Sequence, residues 1–268
     1  MPAIELSKLT KEIELLLRLW EQPDPLLARL TNLLEYYADH LYQAGEQTRT
    51  TPTLPVYRVP PIVLRQLERS FTHAASDKPQ AGLALADALW QQTHQENLAL
   101  SAAILGGLPT AFHPAVIQRI SSWASIDLPS NLISHLIDLA TRQIRLHSPQ
   151  GWLNTVATWL QHEDQLFHSF GLLALQPLIK DPQFENLPFV FRVITPYIQT
   201  PPSEFIPELV EILGNLAQRS PSETTYFFRQ SIHASSAPET LRLLRRALPF
   251  LPQTAQSSLG PALRESDL

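Results

Sequence analysis

SEFIPELVEILGNLAQ, residues 203–218, is the stretch whose reading decides the fold. Phe205, Leu209, Ile212, Leu213 and Leu216 recur at three- and four-residue spacing, the period of one face of an α-helix. Pro201 and Pro202 stand just ahead of it, at a helix boundary, where proline does no harm. The same pattern returns in IVLRQLERSF (62–71), through Ile62, Leu64, Leu67 and Phe71, and in PETLRLLRRALPFL (238–251), through Leu241, Leu244 and Leu248. The chain holds 24 prolines, and most of them punctuate such segments: Pro60, Pro61, Pro79, Pro114, Pro129, Pro149, Pro182, Pro221, Pro238 and Pro252. Strict alternation over a strand length is hard to find, and β-branched residues are scarce. The expected fold is all-α.

The helices recur in pairs. First helices are expected to begin near Pro60, Gln95, Leu128, Asp164, Ser203 and Ala237, which gives steps of 35, 33, 36, 39 and 34 residues. A period in that range marks an α-solenoid, in which each helix pair buries its apolar face against its neighbours. The Trp, Gly and Tyr signature of tetratricopeptide repeats and the Thr-Pro-Leu-His of ankyrin repeats are absent. About six HEAT-like pairs are therefore expected over residues 60–268. Ahead of them, residues 1–43 read as a helical hairpin, its second helix striped by Leu26, Leu30, Leu33, Leu34, Tyr37 and Leu41. That hairpin is expected to cap the open end of the array, with a partner-binding module as the other reading. Residues 44–59, AGEQTRTTPTLPVYRV, lack helical period and read as a loop or linker.

Composition narrows the chemistry. Charged residues make up 17% of the 268, below the usual value of about 25%. With no cysteine there is no disulfide, thiolate nucleophile or cysteine-held zinc, which suits a cytoplasmic protein. No apolar run reaches membrane-spanning length, and the opening MPAIELSKLTKEIELLLRLW mixes acids and bases, so neither a span nor a signal peptide is expected. A net charge of −5 excludes a globally basic nucleic-acid binder and leaves a local basic groove open. No phosphate loop, dinucleotide fingerprint or nucleophile elbow appears, and no cofactor is expected. Gly106–Gly107 reads as a helix end.

TWLQHEDQLFHSFGLLAL (158–175) gathers His162, Glu163, Asp164 and His168. The histidines lie six apart and share no helix face, so a metal is not expected. Asp164 is placed to cap the following helix, and the stretch reads as a joint. His40, His73, His94, His113, His135, His147 and His233 are scattered, with no triad-like or metal-like spacing. Arg242, Arg245 and Arg246 share one helix face, and Arg142 and Arg145 group with His147. Each group is either a solvated face that complements a helix C-terminus or an anion-binding stripe. Trp20, Trp90, Trp123 and Trp159 are expected in the core, and Trp152, the exception, is expected at the surface, where it joins Arg142, Arg145, Arg242, Arg245 and Arg246 as a candidate for anion or DNA binding.

Four blocks carry a resemblance. VYRVPPIVLRQLER (56–69), ALADALWQQTHQENLALSAAILGGL (84–108), WLQHEDQLFHSFGLLAL (159–175) and FIPELVEILGNLAQRSPSETTYFF (205–228) are similar, in order and spacing, to the HEAT-repeat DNA-alkylation-repair family, the AlkD-like DNA glycosylases. The resemblance implies excision of cationic alkylated bases by a carboxylate near the sugar, an Arg that holds phosphate and Trp residues that stack on DNA. It carries over poorly. In SIDLPSN (125–131), Ile126 stands for a Trp, Asp127 matches, and Ser130 takes the place of the catalytic Asp. Leu166 stands for another Trp, His168 and Ser169 for an Arg pair, and Glu211 and Gly214 for a Trp and an Arg. The expectation is a non-catalytic scaffold that engages a protein or nucleic-acid partner on its concave face. The alternative is a glycosylase, with Asp127 as the charge and Arg142, Arg145, Arg242 or Arg246 on the phosphate.

Overall fold

The structure is a computed structural model that describes residues 5–38, 54–92, 94–123, 128–235 and 237–264. Asp127, His40 and residues 44–53 of the expected linker lie outside the described residues. In chain order the helices are α1 (Leu6–Leu17), α2 (Pro23–Tyr37), α3 (Pro61–Asp77), α4 (Pro79–Trp90), α5 (Gln95–Leu105) and α6 (His113–Trp123). They continue with α7 (Ser130–Ala140), α8 (Arg142–His147), α9 (Pro149–Leu160), α10 (Gln165–Lys180) and α11 (Leu187–Gln199). The last four are α12 (Ile206–Arg219), α13 (Pro221–Ala234), α14 (Pro238–Ala247) and α15 (Gln253–Arg264). There is no strand among the described residues, and the all-α expectation holds. The first helices of the six pairs, α3, α5, α7, α10, α12 and α14, start within three residues of the places the period marks. Proline occupies one of the first two positions of α2, α3, α4, α11, α12, α13 and α14, where its missing N–H has no helical partner to lose.

The chain divides into two compact units, Met1–Trp123 with His135–Trp152, and Ala124–Ser134 with Leu153–Leu268. In the first, α1 packs on α3 and α3 on α5, while α2 packs on α4. In the second, α10, α12 and α14 form one layer and α11, α13 and α15 the other. Each unit is thus a stack of helix pairs in which like helices lie beside like, the HEAT-like arrangement. The expected regular period of helix pairs is met at the level of helix starts; the division into two units carries no mark in the sequence.

Helices α5 and α10 depart from the amphipathic pattern. From Glu96 to Leu105, and from Phe170 to Ile179, every residue is buried. A helix apolar all round has neighbours all round, and α5 accordingly packs on both α3 and α4. Its end explains the glycine pair. Gly106 keeps ordinary right-handed backbone, so conformation is not the reason for it. A Cβ on Gly106 would run into the carbonyl of Leu139, and one on Gly107 into that of Thr72. Two backbones approach there too closely for any side chain.

Two apolar stripes need correction. On α3 the buried face is Val63, Leu67, Phe71 and Ala75, whereas Ile62 is 45% exposed. On α14 Leu248 falls beyond the helix, in the 3₁₀ turn Leu248–Phe250, and Leu243 and Ala247 complete the buried face. The described end of the linker is non-helical and tied down. Gln95 donates its backbone N–H to the Pro55 carbonyl at 3.0 Å, and the Tyr57 ring stacks on His94 at 4.0 Å. The Glu96 carboxylate, 5% exposed, accepts the backbone N–H groups of Tyr57 (3.1 Å) and Arg58 (2.8 Å). That buried charge is satisfied by the turn it holds.

Candidate functional site

The joint between α9 and α10 is where the sequence concentrates polar residues. Asp164 caps α10, its Oδ1 accepting the Leu166 N–H at 3.0 Å, as its position predicts. His162 Nδ1 accepts the Asp164 N–H at 3.0 Å, and His168 Nε2 lies 2.6 Å from the His162 carbonyl, which fixes that nitrogen as the protonated one. The His162 ring leans on Phe167 at 4.1 Å, and His168 meets the edge of Tyr197 at 5.8 Å. Tyr197 donates to the Leu160 carbonyl at 2.9 Å, closing the last turn of α9. Burial pushes its hydroxyl up to about 12. Among the described residues no three His, Asp or Glu side chains converge as metal ligands. The motif is a helix joint, stitched by its own histidines, with Leu166 left 51% exposed on its outer side.

A second polar contact escapes sequence reasoning. Ser130, the first residue of α7, donates to Oε1 of Glu208 at 2.9 Å across 78 positions of sequence. Glu208 lies in the first turn of α12 and is 9% exposed. Its other oxygen, Oε2, is buried and has no hydrogen-bond partner among the described residues. The only signal in the sequence is an acid in a first turn, which favours the helix dipole and says nothing of a distant serine.

The arginines fare differently from one another. Arg145 grips Asp138 at 2.6 Å and also donates to Thr141 Oγ1 at 2.6 Å and to the Asp138 carbonyl at 3.2 Å. Arg142, on the same short helix α8, is exposed. On α14, Arg242 and Arg246 are exposed and Arg245 is half-buried. Among the described residues Arg242 and Arg246 make no ion pair. The two groups belong to different units. Trp152 corrects the expectation of an exposed indole, because it is fully buried. It is the fourth residue of α9 and shares helical spacing with the buried Val156 and Trp159, so the stripe that buries them buries it. Trp90 and Trp123 stack face to face at 4.0 Å.

His113, opening α6, is 5% exposed, and neither ring nitrogen has a hydrogen-bond partner among the described residues. Burial, with a smaller push from His147, holds its pKa below the ordinary histidine value. It reads as an apolar core position filled by imidazole. Among the described residues no single helix is long and apolar enough to cross a membrane.

Searches of curated proteins and of solved structures give no match. The family model described as DNA alkylation repair enzyme matches residues 31–242. With most of its length under that match, the chain belongs to the DNA alkylation repair enzyme family.

Proposed function

We propose that this chain binds a partner on its family's helical scaffold without cutting a glycosidic bond. The α9–α10 joint carries the reading. Where the family resemblance implies a stacking Trp and an Arg pair, the chain has Leu166, His168 and Ser169, and His168 is spent on the His162 carbonyl. Gln161 to Leu175 contains no arginine, so no guanidinium fork is available there to hold a phosphate. Arg145, one of the arginines the sequence offers for a phosphate, already uses its fork on Asp138. With a net charge of −5, a protein surface or a short segment of DNA suits the partner better than extended duplex. The hairpin of α1 and α2 acts in this reading as the cap of the array, and the lack of cysteine suits the cytoplasm.

One observation favours a second reading, base excision. Glycosidic hydrolysis passes through an oxocarbenium-like state that needs a fixed negative charge nearby. Ser130 stands where the resemblance implies the catalytic Asp, and Glu208 brings a buried carboxylate to it with one oxygen unused. Glu208 or Asp127 would supply the charge, with Arg242 or Arg246 on the phosphate. Fluorescence anisotropy with labelled duplexes, at low and moderate salt, separates the readings. The binding-scaffold reading expects an abasic-site mimic and an unmodified duplex to bind alike, and weakly. A preference of about tenfold or more for the mimic would favour excision.

A further inference from the structure

A groove of 560 Å³ runs between α11 and α13, and none of the residues that form it takes part in the α9–α10 joint or the Ser130–Glu208 contact. Its size falls within the range of small-molecule sites, about 300–1,000 Å³. Phe191 and Phe227 form its floor, their ring centres 5.1 Å apart. Phe227 is buried, and Phe191 keeps part of its ring open. Gln199, Gln230, Arg192 and His233, all exposed, share its lining. The Gln230 amide donates once, to the Tyr226 hydroxyl at 2.8 Å, and keeps its carbonyl oxygen as an acceptor. No Asp or Glu lines the groove, which is notable in a chain with more acids than bases. Arg192 makes no ion pair among the described residues, and its guanidinium lies 5.5 Å from the Phe189 ring centre.

From this juxtaposition we infer that the α11–α13 groove binds one nucleotide unit, its base against the Phe191–Phe227 floor and its phosphate on Arg192. Each part of the groove matches one part of that ligand. The phenyl rings offer a face for a flat, weakly polar ring. The two primary amides offer donors and acceptors together, as the edge of a base requires. The Arg192 guanidinium, exposed and without an acid partner among the described residues, presents a fork shaped for phosphate, with His233 as a second donor. An apolar ligand would make no use of the amides and the arginine, and a cation would face Arg192. The inference goes beyond the binding reading above and does not depend on excision.

The same chemistry is offered by a free mononucleotide and by a single strand of nucleic acid, and the experiment has an arm for each. Isothermal titration of the full chain would use deoxyadenosine 5′-monophosphate, deoxyadenosine without phosphate, and a short single-stranded oligodeoxyadenylate. The expected result is saturable binding of the mononucleotide, with the nucleoside weaker by about tenfold, the worth of one charge-assisted contact. Arg192→Gln, at an exposed position, should weaken it by a similar factor while its thermal unfolding stays that of the parent; Phe191→Ala should weaken it too, with a lowered Tm from the lost packing on Phe227. Arg229→Gln, on α13 but outside the groove, removes the same charge and should change nothing. A strand that binds much more tightly than the mononucleotide identifies the strand as occupant; equal affinity identifies the free nucleotide. The inference is overturned if neither saturates at millimolar concentration, if Arg192→Gln binds as the parent does, or if Arg229→Gln loses as much.

Discussion

Removing one hydroxyl, by Tyr197→Phe, tests the account of the α9–α10 joint. The last carbonyls of a helix lack intrahelical partners, and Tyr197 supplies one of them by donating to Leu160, the final residue of α9, at 2.9 Å. Tyr197 is 8% exposed, so water cannot replace the lost donor without entering the packing. An unsatisfied buried carbonyl costs about 1–3 kcal/mol, and the variant should be less stable by that much near neutral pH. The hydroxyl's pKa, pushed by burial up to about 12 from the ordinary tyrosine value of about 10, adds a pH signature. A raised acid pKa means that the fold favours the neutral phenol. Stability is unaffected below the unfolded value and is lost as pH rises above it, because the unfolded chain ionises first. Between pH 9 and pH 11 that loss amounts to about 1.4 kcal/mol for a shift of two units. Phenylalanine has no such loss. Urea unfolding of both proteins across this range should show their stabilities converging near pH 11. A difference that stays constant from neutral to alkaline pH would refute the reasoning, as would a variant as stable as the parent.

Gly107→Ala should destabilise by about 1–3 kcal/mol in urea unfolding, because its Cβ meets the Thr72 carbonyl of α3 and backbone does not swing aside. Gly151→Ala is its control: the nearest atom is Ser148 Cβ at 3.7 Å, and alanine at a helical position should be neutral or stabilising by about 0.5–1 kcal/mol. His113 has its pKa lowered by burial, so stability should fall as pH drops through the ordinary histidine value of 6.5, where the unfolded chain takes up a proton and the fold resists it. His113→Leu should flatten that part of the profile, and an unchanged acid limb would contradict the assignment. Glu96→Ala should strand the N–H groups of Tyr57 and Arg58 and expose residues 54–60 to early proteolysis, at a stability cost of about 2–3 kcal/mol.

How much of this was legible in the sequence depends on how local each feature is. Helix starts followed from prolines and apolar period, both local signals, and α5 at Gln95 begins where they place it. Asp164 as a cap was equally local. On α3 Leu67 and Phe71 were read correctly, but the first turn was not: Val63 is buried in place of Ile62 and Leu64, because three adjacent apolar residues leave the stripe's phase open there until its neighbours are known. Trp152 was misplaced for a similar reason: Pro149 starts α9 three residues ahead of it, which turns the indole inward. The Ser130–Glu208 contact and the α11–α13 groove were invisible, since each joins residues whose proximity exists only once helices stack. Gly106–Gly107 does end a helix, as read, but the close backbone approach that requires glycine at 107 is a tertiary fact. Family membership was legible because order and spacing of helices survive where individual site residues do not.

The most direct test of the central claim is release of a cationic alkylated purine from duplex DNA, measured with the protein in excess over substrate. A binding protein without excision chemistry should leave release at the uncatalysed rate, with the parent chain and Glu208→Gln indistinguishable. Release well above that rate, lost in Glu208→Gln while its fold is retained, would contradict the claim and make the Ser130–Glu208 contact the centre of an active site.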